Sequence, residues 1–192
     1  MVDLVGLHKH FILEHLGPGD VAVDFTMGNG NDTLFLSRTV GEEGRVYAFD
    51  IQAEALMSTD EHLMREGAPK NYTLICASHD RVDEFVKEPI KAGMFNLGYL
   101  PGSGKKAVTT MRKTTLPAVE KALRLLAPDG VLIVAIYPGH EEGALEGAAL
   151  REYFSTLSKY RICPSEFRIL NSPDSPYFFL VEKSPKAAFG EI

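Results

Sequence analysis

Tryptophan is absent from this chain and cysteine occurs only twice. Cys76 and Cys163 lie far apart with no CxxC pair, which excludes a disulfide scaffold and a cysteine zinc site and points to a reducing compartment. Long hydrophobic runs are missing too: the longest, Val131 to Ile136, is far too short to span a bilayer. The N-terminal stretch MVDLVGLHKHFILEH lacks a basic segment followed by an unbroken apolar one, so no secretory signal is expected. A cytoplasmic protein without membrane contact is the expectation. Basic charge is in deficit, with 20 Lys and Arg against 26 Asp and Glu, net -6, which argues against a surface coated in cations for nucleic acid. Repeats, linkers and low-complexity segments are likewise lacking.

What remains is a globular composition: 192 residues, 45% hydrophobic and 24% charged, enough to bury a layered core as one domain over 1–192. Short β-branched runs alternate with helical stretches, the pattern of a mostly parallel sheet covered by helices. The runs are Val21–Phe25, Arg45–Phe49, Tyr72–Cys76, Met94–Leu100 and Val131–Tyr137. Their nearly continuous apolar character suits strands buried on both faces. Helices are expected over 1–16, 31–39, Gln52–Glu66, Pro117–Ala127 (with Pro117 in a first-turn position) and roughly 142–158. Phe167–Leu170 and Tyr177–Glu182 flank the turn formers Asn171 to Pro176, so a C-terminal hairpin should enter the sheet antiparallel. The expected fold is thus α/β and Rossmann-like: a seven-stranded mixed sheet with helices on both faces.

The most informative stretch is VAVDFTMGNGNDTLFL, residues 21–36. A buried strand ends in Asp24, Gly28-Asn29-Gly30 makes a turn, and a helix begins. Glycines belong where φ is positive or a ligand approaches the backbone. Asp50 closes the next strand, where a carboxylate can accept both hydroxyls of an adenosine ribose. A dinucleotide site would need a third glycine where Thr33 stands, and the nearby Asp24 repels a pyrophosphate. The same acid tolerates the cationic amino-acid end of S-adenosyl-L-methionine, so that cofactor is favoured over NAD.

These features, with the Leu126-Ala127-Pro128-Asp129-Gly130 turn, resemble class I S-adenosylmethionine-dependent methyltransferases. More narrowly, VDFTMGNGNDTLFL, VYAFDIQ, SHD, NLGYLPGSGKK, the paired threonines before Leu116 and YPGHEEG resemble a small bacterial family first labelled rRNA methylases. Its members are associated with methylating wobble 5-aminomethyl-2-thiouridine in tRNA. Thr26 stands where the commoner glycine loop has another glycine. The resemblance implies that Asn29, Asn31, Asp32, Asp50, Gln52, Ser78 and His79 line the cofactor pocket with Gly28 and Gly30. It also implies a tRNA partner met at its anticodon region.

At the reacting end, Asn96 and Tyr99 match the spacing of the [D/N]PP[Y/F] motif of amino-methylating relatives, although Leu97 and Gly98 replace both prolines. In that motif the amide oxygen accepts a hydrogen bond from the target nitrogen and the aromatic stacks on the base. His79 and His140, just after strand ends, are candidate proton acceptors. His8, His10 and His15 have no partners suited to a metal, and none is expected. Gly102-Ser103-Gly104-Lys105-Lys106 lacks the Walker spacing and reads as a basic loop. From Pro89 to Val119 there is no acidic residue, whereas Lys91, Lys105, Lys106, Arg112 and Lys113 are present. On charge alone this is equally an RNA-phosphate contact and an ordinary solvated loop. The reading favoured is N-methylation of a wobble aminomethyl-uridine in tRNA. An rRNA or small-molecule methyltransferase and a non-catalytic cofactor-binding protein stay open, as does a homodimer.

Overall fold

The computed structural model describes residues 4–98, 112–139 and 141–192. Five strands run parallel: β1 (Val21–Asp24), β2 (Arg45–Asp50), β3 (Tyr72–Cys76), β4 (Ile90–Leu97) and β5 (Leu126–Ile136). β6 (Ile162–Phe167) and β7 (Tyr177–Lys183) form the expected hairpin, and β7 lies antiparallel to β5. The described strands form one seven-stranded sheet in the order β3-β2-β1-β4-β5-β7-β6. The order reverses between β1 and β4, so the carboxyl ends of those two strands flank the crevice where such sheets bind ligands.

Among the described residues six α-helices cover the sheet: α1 (Leu4–Leu13), α2 (Asn31–Val40), α3 (Ala53–Arg65), α4 (Val82–Phe85), α5 (Arg112–Leu125) and α6 (Glu141–Ser155). Strand alternation decides what each meets. On one side Ala22, Val46, Met94, Ile133 and Ala135 pack with Ile12 of α1 and with Leu36 and Val40 of α2, while Ala48 meets Ala55 of α3. On the other, Val23, Phe49, Phe95, Leu132 and Val134 pack with Val82, Ala118, Val119, Leu123 and Leu150 of α4, α5 and α6. There Phe25 and Phe95 stack with ring centroids 4.0 Å apart. Gly93 makes room for them: a Cβ on it would stand 2.6 Å from Leu132 Cδ1 and 3.0 Å from Phe25.

Several boundaries differ from the sequence expectation. β4 starts at Ile90 rather than Met94, because Lys91 interrupts the apolar run yet can leave the sheet to pair with Asp129 at 3.3 Å. The stretch from Leu126 to Gly130 is the start of β5 rather than a turn before it. It pairs Ile90 with Leu126, then shifts register, with Asp129 at φ 58. α5 starts at Arg112, so Pro117 lies inside the helix and removes one internal hydrogen bond. The strand expected at Phe167–Leu170 runs over Ile162–Phe167, where Pro164, Ser165 and Glu166 hide its period. The turn of 3-10 helix at His79–Arg81 and the short α4 were not expected, since neither is long enough to show a period.

α6 lies close enough to β7 that Gly147 tolerates no side chain. A Cβ there would fall inside van der Waals contact of the buried Tyr177 hydroxyl and 3.1 Å from Ile136 Cγ2. Gly147→Ala should cost about 1–3 kcal/mol by overpacking. In urea denaturation the midpoint should fall, and adding Tyr177→Phe should recover part of the loss. An unchanged midpoint would mean that α6 moves aside freely.

Candidate active site

The crevice is built around the end of β1. Asp24 is fully buried on the α2 side of the sheet, and its carboxyl accepts hydrogen bonds from Thr33 Oγ1 at 2.7 Å and the Thr26 N–H at 3.0 Å. Burial, and next the nearby Asp32 carboxylate, push its pKa up to about 7. Thr33, the residue in place of a third glycine, is thus a ligand of the buried acid. The loop then crosses toward β2. Met27 N–H donates to Phe49 O at 2.8 Å and Gly28 N–H to Asp50 Oδ2 at 3.2 Å. Gly28 and Gly30 have φ of 52° and 81°, the left-handed region. Thr59 Oγ1 donates to Gly28 O at 3.1 Å and Ser58 Oγ to Asn29 Oδ1 at 3.1 Å, so α3 holds the turn from behind.

Asp50 is half-buried at the end of β2, where its other oxygen accepts the Gln52 N–H at 3.0 Å. Burial raises its pKa and the backbone N–H groups oppose the rise. Each oxygen has lone-pair capacity left for a further donor. Gly28, Asn29, Gly30, Asp50 and Gln52 therefore come together around one turn. Ser78 is half-buried after β3, and Asn31 is exposed at the start of α2. His79 is buried: Nδ1 lies 3.2 Å from Phe25 O and the ring meets Phe95 edge-on. Its pKa is lowered by that burial. The ring thus lies on the α4–α6 side of the sheet.

Asn96 occupies the other side. Alternation along β4 puts it on the face of Ala92 and Met94, shared with Asp24. Its backbone N–H donates to Thr26 Oγ1 at 2.7 Å, and its side-chain Nδ2 donates to Asp32 Oδ2. The other oxygen of Asp32 is 3.0 Å from Lys9 Nζ of α1. Tyr137, just past β5, completes this corner: burial first and Asp32 second raise its phenol pKa. Lys9, Thr26 and Thr33 were not among the expected site residues. Strand parity alone would have placed Asn96 beside Asp24, but nothing in the sequence marks Lys9.

Tyr99, Lys105, Lys106 and His140 lie outside the described residues. Arg112 opens α5, with the exposed Lys113 after it and no acidic residue in that first turn. Lys91 does not belong to a free basic patch, since Asp129 pairs with it. Among the described residues no cluster of His, Cys, Asp and Glu could hold a metal ion, and no helix is long and apolar enough to cross a membrane.

A mixed sheet ending in an antiparallel hairpin, an acid-lined glycine turn and a carboxylate closing β2 together define the class I methyltransferase architecture. The family model described as "Putative rRNA methylase" matches residues 46–183, and the chain belongs to that family. A protein of the same description from Clostridium thermocellum superposes with TM-score 0.91 at 36% identity, over 95% of this chain and 98% of that one. A Streptococcus mutans protein solved in complex with SAH superposes with TM-score 0.86 at 36% identity, over 95% of this chain and 99% of that one. The chloroplastic tRNA (mnm(5)s(2)U34)-methyltransferase of Arabidopsis thaliana is 37% identical over 86% of this chain, which spans 64% of that protein's length.

The buried acid has a consequence for stability. The folded state holds the Asp24 proton more tightly than the unfolded chain, so its contribution is full below about pH 4 and is lost as pH rises to about 7. Asp24→Asn should therefore make the fall in thermal midpoint between about pH 5 and pH 7 shallower than in the wild type. Parallel profiles from scanning calorimetry would mean that Asp24 titrates as an ordinary carboxyl.

Proposed function

We propose that this protein is an S-adenosylmethionine-dependent methyltransferase that acts on tRNA, methylating the exocyclic amine of an aminomethyl-uridine at the wobble position. The observation that carries this reading is the Asn96 amide at the tip of β4, on the same face of the sheet as Asp24, with its backbone N–H held by Thr26 and its side-chain nitrogen by Asp32. The name of the Arabidopsis relative supplies the substrate class.

The donor set suits the cofactor. Asp24 and Asp50 flank the glycine turn, and Lys9 is matched by Asp32 rather than left as a cation in the crevice, so the site favours a cationic nucleoside over a pyrophosphate. Asp50 would hold the ribose hydroxyls, and the Gly28–Gly30 turn would lie along the amino-acid end. A cation beside Asp24 favours its charged form. When bound, the cofactor supplies an electrophilic methyl on a sulfonium. The protein's part is positioning: the Asn96 carbonyl oxygen accepts a hydrogen bond from the target amine and holds its lone pair in line. A primary amine is largely protonated near neutral pH, so a proton must leave before attack, to solvent or to His140. Lys105, Lys106, Arg112 and Lys113 would meet the RNA phosphates.

Calorimetry and single-turnover kinetics test the two halves separately. Asp50→Ala should weaken S-adenosylmethionine binding by about 1.5–3 kcal/mol, as expected for hydrogen bonds lost to a charged group, while NAD shows no saturable binding. Normal cofactor affinity in Asp50→Ala would remove the ribose role. Asn96→Ala should keep cofactor affinity but slow methylation of an anticodon stem-loop carrying the aminomethyl base by roughly a hundredfold. A wild-type rate in that variant would place the amine elsewhere.

A further inference from the structure

Asn96 can serve as an acceptor only if its amide is held one way round. The oxygen and nitrogen of a side-chain amide are nearly the same size, so a free amide presents either an acceptor or a donor to the crevice. A donor turned toward the amine would face its N–H groups or take up the lone pair that must attack. Something must break this symmetry, and the structure supplies it. The side chain meets Asp32 Oδ2, and a carboxylate oxygen accepts hydrogen bonds but does not donate them. The nitrogen must face Asp32, which leaves Oδ1 for the crevice.

Asp32 is itself fixed from two directions. It projects from the first turn of α2, immediately after the Gly30 turn, and is largely buried, with 16% of its side chain exposed. Lys9 clamps its second oxygen at 3.0 Å, and the same ammonium lies 5.0 Å from the centre of the Phe35 ring. Lys9 comes from a helix seated by the buried Ile12 and Leu16 against Ala22, Val46 and Met94. Three separate parts of the chain thus converge on Asn96: α1 through Lys9 and α2 through Asp32 on its side-chain amide, and the loop after β1 through Thr26 on its backbone N–H.

We propose that Asp32, held by Lys9, is a positioning residue that locks the Asn96 amide with its carbonyl oxygen toward the target amine. This rests on the aminomethyl-uridine reading above. It replaces the role of Asp32 as a cofactor-pocket residue with one exerted through Asn96. A neutral amide at position 32 can donate to Asn96 Oδ1, which lets the Asn96 amide turn its NH2 toward the substrate. A carboxylate at position 96 cannot be turned the wrong way, because both of its oxygens accept.

The test uses the full-length protein, labelled S-adenosylmethionine and the modified anticodon stem-loop. Asp32→Asn should lower the single-turnover rate at saturation by about tenfold to a hundredfold, with cofactor Kd and RNA KM within about twofold of the wild type. Adding Asn96→Asp to Asp32→Asn should restore most of that rate. A double variant no faster than Asp32→Asn would overturn the proposal. So would a saturating rate that is unchanged in Asp32→Asn while cofactor Kd rises, the pattern of a direct cofactor contact. If the wild type does not methylate this RNA, the substrate reading fails, and the lock is judged by NMR instead. The side-chain 15N signal of Asn96, identified by its loss in Asn96→Asp, should shift in both Asp32→Asn and Lys9→Met. An unmoved signal in both variants would overturn the lock whatever the substrate.

Discussion

The hydrogen bond from Thr33 to the buried carboxyl of Asp24 is the constraint on which the rest of the site depends. A carboxyl with no exposed surface must have partners, and only α2 and the loop between can bring them. The chain leaving β1 therefore turns back sharply, which requires left-handed backbone at Gly28 and Gly30. The same turn carries the Gly28 N–H to Asp50 and places Asp32 over the tip of β4. A third glycine at position 33 would have packed the helix closely on the strand but left the acid one partner short.

The five parallel strands were legible because buried parallel strands are nearly continuous apolar runs, and the glycine turn with Asp24 and Asp50 was legible from chemistry. What was not legible shares one cause. Lys91, Asp129 and Pro117 each look like element breakers in sequence. Each is accommodated by a tertiary contact or a lost hydrogen bond that local pattern does not report. Likewise Glu166, whose charge hides the period of β6, is matched by a bidentate Arg151 at 2.8 Å from both oxygens. Lys9 is 23 residues before Asp32 and lies in a helix whose relevance depends wholly on where it docks.

Strand parity does more here than support the core. Adjacent residues at the end of β4 face opposite sides: Phe95 stacks on Phe25 beneath the buried His79, whereas Asn96 meets Thr26 and Asp32. A one-residue slip of β4 would exchange an aromatic for an amide in the crevice. The Phe25–Phe95 stack, with Gly93 making space beneath it, is thus a packing device that sets the register of a polar side chain on the far face.

The hairpin that ends the sheet has a consequence for colloidal behaviour. Among the described strands β6 has a neighbour on one side only, so its other edge would offer backbone groups to any strand that approached. Pro164 lies in that strand, where a residue without an N–H is tolerated because one edge is unpaired. Glu166 next to it is flanked by Arg151 and Arg168, which surround the strand end with charge of both signs. An incoming strand would have to bury these groups for an incomplete ladder. The free margin of β6 is therefore a poor template for strand addition, and sheet-to-sheet aggregation through it is disfavoured by composition as well as by shape.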